Sequence, residues 1–122
     1  MEYFDISEFD SPDEVGSGER MDKVFIHLLD KARKKAGIPF KITSGYRTKE
    51  WNLKVGGRVG SSHCKGYAVD LYLPRGSRDR YLIINSLLEV GFNRLGIDFK
   101  RNFIHVDVDR MKDENVIWTY NN

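Results

Sequence analysis

Apolar residues recur at helical spacing from about Glu19 to Ala36, where Val24, Phe25, Leu28, Leu29 and Ala32 form one stripe on a charged segment. Gly37 stands where a left-handed residue closes a helix, and Pro39 blocks any continuation. A second helical run carries Ile83, Ile84, Leu87 and Leu88; Ser77 or Asp79 can cap it, and it stops at Gly91. Elsewhere the pattern is that of strands. Residues 40–43, 67–73, 103–108 and 116–120 read as strands, the second ending at Pro74. Between them, residues 44–47 form a turn, Thr48 caps a short helix through Asn52, and residues 55–60 make a flexible glycine-rich loop. Residues 1–19, rich in Asp, Glu, Ser and Gly, read as an N-terminal arm anchored by Tyr3, Phe4, Ile6 and Phe9.

These elements predict an α+β fold in one domain, residues 1–122, with a small, mainly antiparallel sheet and two main helices. A chain of 14.2 kDa suits a single core. No repeat, linker or low-complexity segment interrupts it. With 20 basic and 18 acidic side chains the net charge is +2, too small and too dispersed to point to nucleic acid. No apolar run is long enough to span a bilayer, and the acidic start, Met1 to Asp5, lacks the apolar stretch of a signal peptide. Synthesis in the cytoplasm is therefore expected. Cys64 is the only cysteine, which excludes an internal disulfide and a cysteine-rich zinc site.

The candidate chemistry lies in two segments. Residues 61–70 offer His63 and Asp70, seven positions apart with small residues between them, and residues 103–109 offer His105 on a strand. Two histidines and one aspartate make a three-ligand zinc site whose fourth position stays open to water, the pattern of catalytic zinc. Side-chain alternation puts His105, Asp107 and Asp109 on one strand face and Ile104, Val106 and Val108 on the other. On the earlier strand Asp70 shares its face with Ala68 and Tyr72, while Val69, Leu71 and Leu73 face a core. An unpaired charge in so apolar a strand is costly, and a metal removes the cost. Gly66 and Ala68 lack bulk, so metal and substrate can approach the backbone there. His27 lies among Ile26, Leu28 and Leu29 with no carboxylate arranged near it, and reads as an ordinary helix histidine. His63 adjoins Cys64, but neighbouring side chains on an extended segment diverge, so Cys64 reads as incidental.

The run Thr43 to Asn52, then Val55-Gly56-Gly57, then Ser61-x-His63-x-x-Gly66-x-Ala68-x-Asp70, resembles the M15 peptidases, the zinc D-Ala-D-Ala carboxypeptidases and L-Ala-D-Glu endopeptidases. The branch it looks like ends in Phe-Ile-His-Val-Asp, as Phe103 to Asp107 does here. The resemblance extends over nearly the whole chain and implies the D-Ala-D-Ala peptidase (hedgehog-like) fold. It implies one zinc per chain on His63, Asp70 and His105. It makes Arg47 the residue that binds substrate or stabilises an oxyanion, a job that suits a permanently charged fork of donors. Ser61 and Tyr46 fall in the motifs beside the substrate. Many members carry Glu or Asp three residues before the last histidine, where this chain has Asn102, which cannot take a proton. The carboxylate two residues after that histidine, Asp107, is then the expected general base; the alternative is that it only orients His105.

The function so implied is a zinc peptidase, expected to be monomeric, cutting peptidoglycan stem peptides. A small chain without a visible signal peptide fits a phage or prophage endolysin that reaches the cell wall after release. A wall-recycling enzyme is another possibility. The main alternative is a non-catalytic zinc module that binds wall peptides or stabilises an assembly. A zinc-free structural domain would need His63, Asp70 and His105 to be separately solvated, against their apolar flanks.

Overall fold

A computed structural model of the chain describes residues 1–120. Two 3₁₀ turns, Ile6–Phe9 and Ser17–Arg20, shape the N-terminal arm. They are followed by α1 (Lys23–Ala36), β1 (Ile42–Ser44), α2 (Lys49–Lys54), a third 3₁₀ turn (Ser62–Lys65), β2 (Ala68–Tyr72) and α3 (Ser77–Glu89). Then come β3 (Arg94–Asp98), β4 (Phe103–Asp107) and β5 (Val116–Thr119). The five strands form one sheet in the order β1-β2-β4-β3-β5, antiparallel except for the parallel pairing of β3 with β5. The expected α+β class and mainly antiparallel sheet are thus present.

Helix α1 starts where Asp22 accepts the backbone N–H of Phe25 and ends where Gly37 takes φ +71°. Its buried face is Phe25, Ile26, Leu29, Ala32 and Ala36. Val24, expected on that face, is 75% exposed, because one step from Phe25 turns the helix by about 100° and carries it off the stripe. Leu88 of α3 likewise turns outward while Ile83 and Leu87 are buried. Helix α3 has neither Ser77 nor Asp79 as its cap: Gly76 holds that position without a side-chain bond.

The sheet has two unlike faces. Val69, Leu71, Leu95, Ile97, Ile104 and Val106 are buried on one face, in the core with α1 and α3. Their cross-strand partners reinforce this layer, since Val106 pairs with both Val69 and Leu95 and Ile104 with both Leu71 and Ile97. The other face carries Asp70, His105 and Trp118. An antiparallel sheet can afford such a solvent-facing side. In the arm, Phe4 and Phe9 are buried with rings 5.5 Å apart, whereas Tyr3 is 40% exposed and anchors through its backbone N–H on Asp30 and its carbonyl and ring on Arg33.

Strand β3 was not legible from alternation, because Gly96 interrupts it and charged residues bound it. The glycine has a steric cause. A Cβ at position 96 would lie 2.5 Å from the Trp118 ring, which crosses over this point from β5. Gly96→Ala is expected to lower stability by about 1–3 kcal/mol. Urea unfolding followed by tryptophan fluorescence measures this, and an unchanged midpoint would mean that the indole moves aside freely.

Candidate metal centre and its cleft

Register brings the first two candidate ligands together. In the antiparallel β2–β4 pair, Asp70 lies directly opposite His105. His63 arrives from the 3₁₀ turn Ser62–Lys65, whose N-cap Ser61 accepts the His63 backbone N–H at 3.3 Å. The His63 Nδ1 lies 2.9 Å from the carbonyl oxygen of Gly45. A carbonyl only accepts, so Nδ1 carries the proton and Nε2 presents its lone pair. That Nε2 is 3.4 Å from Asp70 Oδ1. His105 turns Nδ1 toward the same oxygen at 3.0 Å, while its Nε2 is 2.7 Å from Asp107 Oδ2.

This donor set fits zinc. One atom from each of His63, Asp70 and His105 lies within 4.8 Å of the others. Tetrahedral bonds of about 2.0–2.1 Å separate neighbouring donors by about 3.3 Å, close to the 3.4 and 3.0 Å found here. With His63 Nδ1 donating to Gly45 and His105 Nε2 set against Asp107, the other two ring nitrogens converge on one carboxylate oxygen. Such an arrangement needs a cation or an added proton between them. A carboxylate behind a ligand histidine is also a common support of metal sites.

Arg47 closes the other side of Asp70, with a guanidinium nitrogen 3.5 Å from Oδ2. Its Nε donates to Ser44 Oγ at 3.0 Å and another nitrogen to Asn52 Oδ1 at 3.2 Å. The glycine-rich loop folds tightly over this pair. A Cβ at position 57 would fall 1.9 Å from Asn52 Oδ1 and 3.0 Å from the arginine. Asp107 is 1% exposed and committed on both oxygens: Oδ1 accepts from Arg94 Nε at 2.7 Å and from the Asp109 backbone N–H at 3.0 Å, and Oδ2 faces His105. Arg94 also donates to the Asp113 carbonyl and stacks on Trp118, 5.2 Å from the ring centre. Trp118 in turn lies 5.6 Å from the His105 ring.

Burial opposes ionisation of Asp70, but His105 and His63, when the nitrogens that face it carry protons, outweigh it and hold the carboxyl well below its usual range. Burial likewise works against the charged form of His105, yet Asp107 and Asp70 raise its pKa. Asp107 is held low by His105 and Arg94 against the same penalty. The result is a site prepared for positive charge.

These groups line a cleft of about 1010 Å³. Arg47, Ser61, His63, Asp70, His105 and Asp107 all border it. Tyr46 does not; it packs against the core, with Arg20 5.6 Å from its ring centre. Gly66 also stands away from the cleft. It takes φ +76°, and a Cβ there would meet the Arg20 carbonyl oxygen at 2.4 Å, so the expected approach of metal and substrate at Gly66 is replaced by backbone packing. Asn102 sits at φ +56° in the turn before β4. His27 is exposed on α1, and burial pushes the half-buried Cys64 thiol up, away from nucleophilic use. Sequence reasoning missed Arg94, Lys112 and Trp118. Arg94 opens a strand that alternation does not reveal and Lys112 lies between strands, so the one faint signal was Trp118, an aromatic on the last strand.

Asp109, expected on the metal-facing side, instead anchors the His63 turn. It is 1% exposed, and its Oδ2 accepts from Ser62 Oγ at 2.7 Å and Lys65 Nζ at 3.0 Å. Burial works against its charge, but these bonds hold its pKa down at about 2. A carboxyl with a lowered folded pKa contributes stability above its unfolded value, near 3.9, and loses it as pH falls toward 2. The wild type should therefore lose more Tm than Asp109→Asn between about pH 4 and pH 2. Parallel Tm curves in that window would show that the Asp109 charge adds nothing.

A family model described as Peptidase M15 matches residues 5–107, which takes in Arg47, His63, Asp70, His105 and Asp107. No curated protein matches the chain. The match covers most of the described residues and ends at the last residue of β4, and the cleft holds the convergent His-Asp-His cluster: the chain belongs to the peptidase M15 family.

Proposed function

We propose that the protein is a zinc metallopeptidase that hydrolyses peptide bonds in peptidoglycan stem peptides, as a D-Ala-D-Ala carboxypeptidase or L-Ala-D-Glu endopeptidase. Its setting would be that of a phage or prophage endolysin. The observation that carries this reading is the convergence of His63 Nε2, His105 Nδ1 and Asp70 Oδ1 in a cleft, in a chain of a peptidase family generally dependent on zinc. His63, Asp70 and His105 would hold the ion. When bound, zinc polarises a scissile carbonyl and lowers the pKa of a water molecule.

The protein's own groups have distinct tasks in this reading. Arg47, fixed by Ser44 and Asn52, offers its remaining donors to a substrate carboxylate or a developing oxyanion. Ser61 shapes the turn that aims His63 and borders the substrate space. Asp107 holds the His105 ring through Nε2, with Arg94 locking the carboxylate from behind. This orienting role has better support than the expected base role, because both oxygens are engaged and the ring nitrogen that Oδ2 meets is turned from Asp70. The two roles make different predictions. If Asp107 orients the ring, Asp107→Asn weakens zinc affinity by about 10–100-fold; if it is the base, zinc binding stays near normal while the acid limb of the pH–rate profile disappears.

One observation favours a second reading, a wall-peptide-binding module. Among the described residues lining the cleft, Asp70 and Asp107 are the only carboxylates, and both are engaged. Peptide release from purified sacculi, with and without chelator, separates the two. Chelator-sensitive release identified by mass spectrometry supports the peptidase, and zinc binding without release supports the module.

Two variants probe the site directly. Metal analysis of His105→Ala should show loss of most bound zinc; full retention would remove the ligand assignment. Arg47→Ala should keep its zinc and lose about two to three orders of magnitude in rate. Near-normal turnover would reduce Arg47 to a structural partner of Asp70.

A further inference from the structure

The segment after β4 lies beyond the residues matched by the family, yet it builds one wall of the cleft with Lys112, Trp118 and Tyr120. Within that wall the charges around Asp109 do not balance. Asp109 Oδ2 is shared by two lysines, Lys65 at 3.0 Å and Lys112 at 3.7 Å. Lys65 is the nearer partner. The Lys112 ammonium is instead held 2.8 Å from Ser62 Oγ, next to His63, where the lysine borders the cleft with a side chain 39% exposed. That hydroxyl already donates to Asp109, so it accepts from Lys112 and fixes it. One carboxylate for two ammonium groups leaves a surplus positive charge. An ammonium has three N–H donors, and the contact with Ser62 uses one of them.

We propose that Lys112, anchored by Ser62, is a carboxylate-recognising subsite of the cleft and selects peptides bearing a free carboxylate on the His63 side of the metal centre. The proposal rests on the peptidase reading for its ligand class. Its physical basis is a charge-assisted hydrogen bond from a positioned ammonium in a partly desolvated wall. A point charge on a flexible stem, rather than a fork, suits a single carboxylate presented in more than one pose.

The test compares a stem pentapeptide, L-Ala-γ-D-Glu-L-Lys-D-Ala-D-Ala, with forms in which the D-Glu α-carboxylate or the terminal carboxylate is amidated. Binding to the zinc-loaded protein is measured by calorimetry, and cleavage is scored separately. The wild type should bind the free acid about tenfold more tightly than one of the amides. Lys112→Met should abolish that ratio by weakening the acid alone, and Lys112→Arg should retain it. Added salt should erode the preference in the wild type and have little effect on Lys112→Met. A wild type that binds acids and amides alike, or binds none of them, overturns the subsite even if Lys112→Met fails to fold. A Lys112→Met protein that folds and keeps the ratio overturns it equally, leaving Lys112 as a partner of Asp109. Preference without cleavage leaves the subsite standing and sinks the peptidase reading; cleavage without preference does the reverse.

Discussion

A carboxylate buried between two imidazoles is the constraint around which this fold is arranged. Asp70 is 9% exposed in a strand whose other face is entirely core. Burying that charge without partners would be costly. Three groups meet it instead: His63, His105 and Arg47, each delivered by a different element. The β2–β4 register supplies His105, the 3₁₀ turn supplies His63, and the segment before α2 supplies Arg47. A shift of one residue in that register would send His105 into the apolar layer and Ile104 into the cleft. The apolar face therefore enforces the polar geometry, because Val69, Leu71, Ile104 and Val106 can be buried in only one alignment.

Around this point the support is layered. Gly45 accepts the proton of one ring and packs too closely on the Phe9 backbone to carry a side chain. Asp107 sits 2.7 Å from Nε2 of the other ring and is itself held by Arg94, which lies against Trp118. Gly96 makes room for that indole. Each ring thus has one nitrogen committed to the scaffold and the other directed inward, which fixes the orientation of both rings before any ligand arrives. Preorganisation of this kind is what a metal site requires, since flexible ligands would have to be ordered on binding.

The cleft is also electrically one-sided. Arg47, Arg58, Arg94, Arg101 and Lys112 border it against two engaged carboxylates. Nothing in the overall charge of +2 foretells this concentration. It arises because the sheet's solvent face, the loop from Val55 and the C-terminal segment converge on one hollow. Such a field attracts negatively charged groups.

Much of this was legible in the chain. Helical spacing located α1 and α3, Gly37 and Thr48 marked a helix end and a cap, and the alternation of residues 103–108 separated His105 and Asp107 from the core. The spacing of His63, Asp70 and His105 already suited a metal. These features are local: they depend on periodicity, capping and the two faces of a strand. What only the tertiary structure decided is long-range. Strand β3 stays silent in sequence because Gly96 has meaning only beneath Trp118, 22 positions later. Tyr46 lies in a motif but points to the core, and Gly66 answers to the Arg20 backbone rather than to a ligand. Asp107 and Asp109 share a strand pattern, yet one holds a histidine and the other a turn, because Arg94, Ser62 and Lys65 reach them from distant parts of the chain. Sequence spacing tells which way a side chain leaves its own element; which groups occupy the space it enters depends on the packing of all the others.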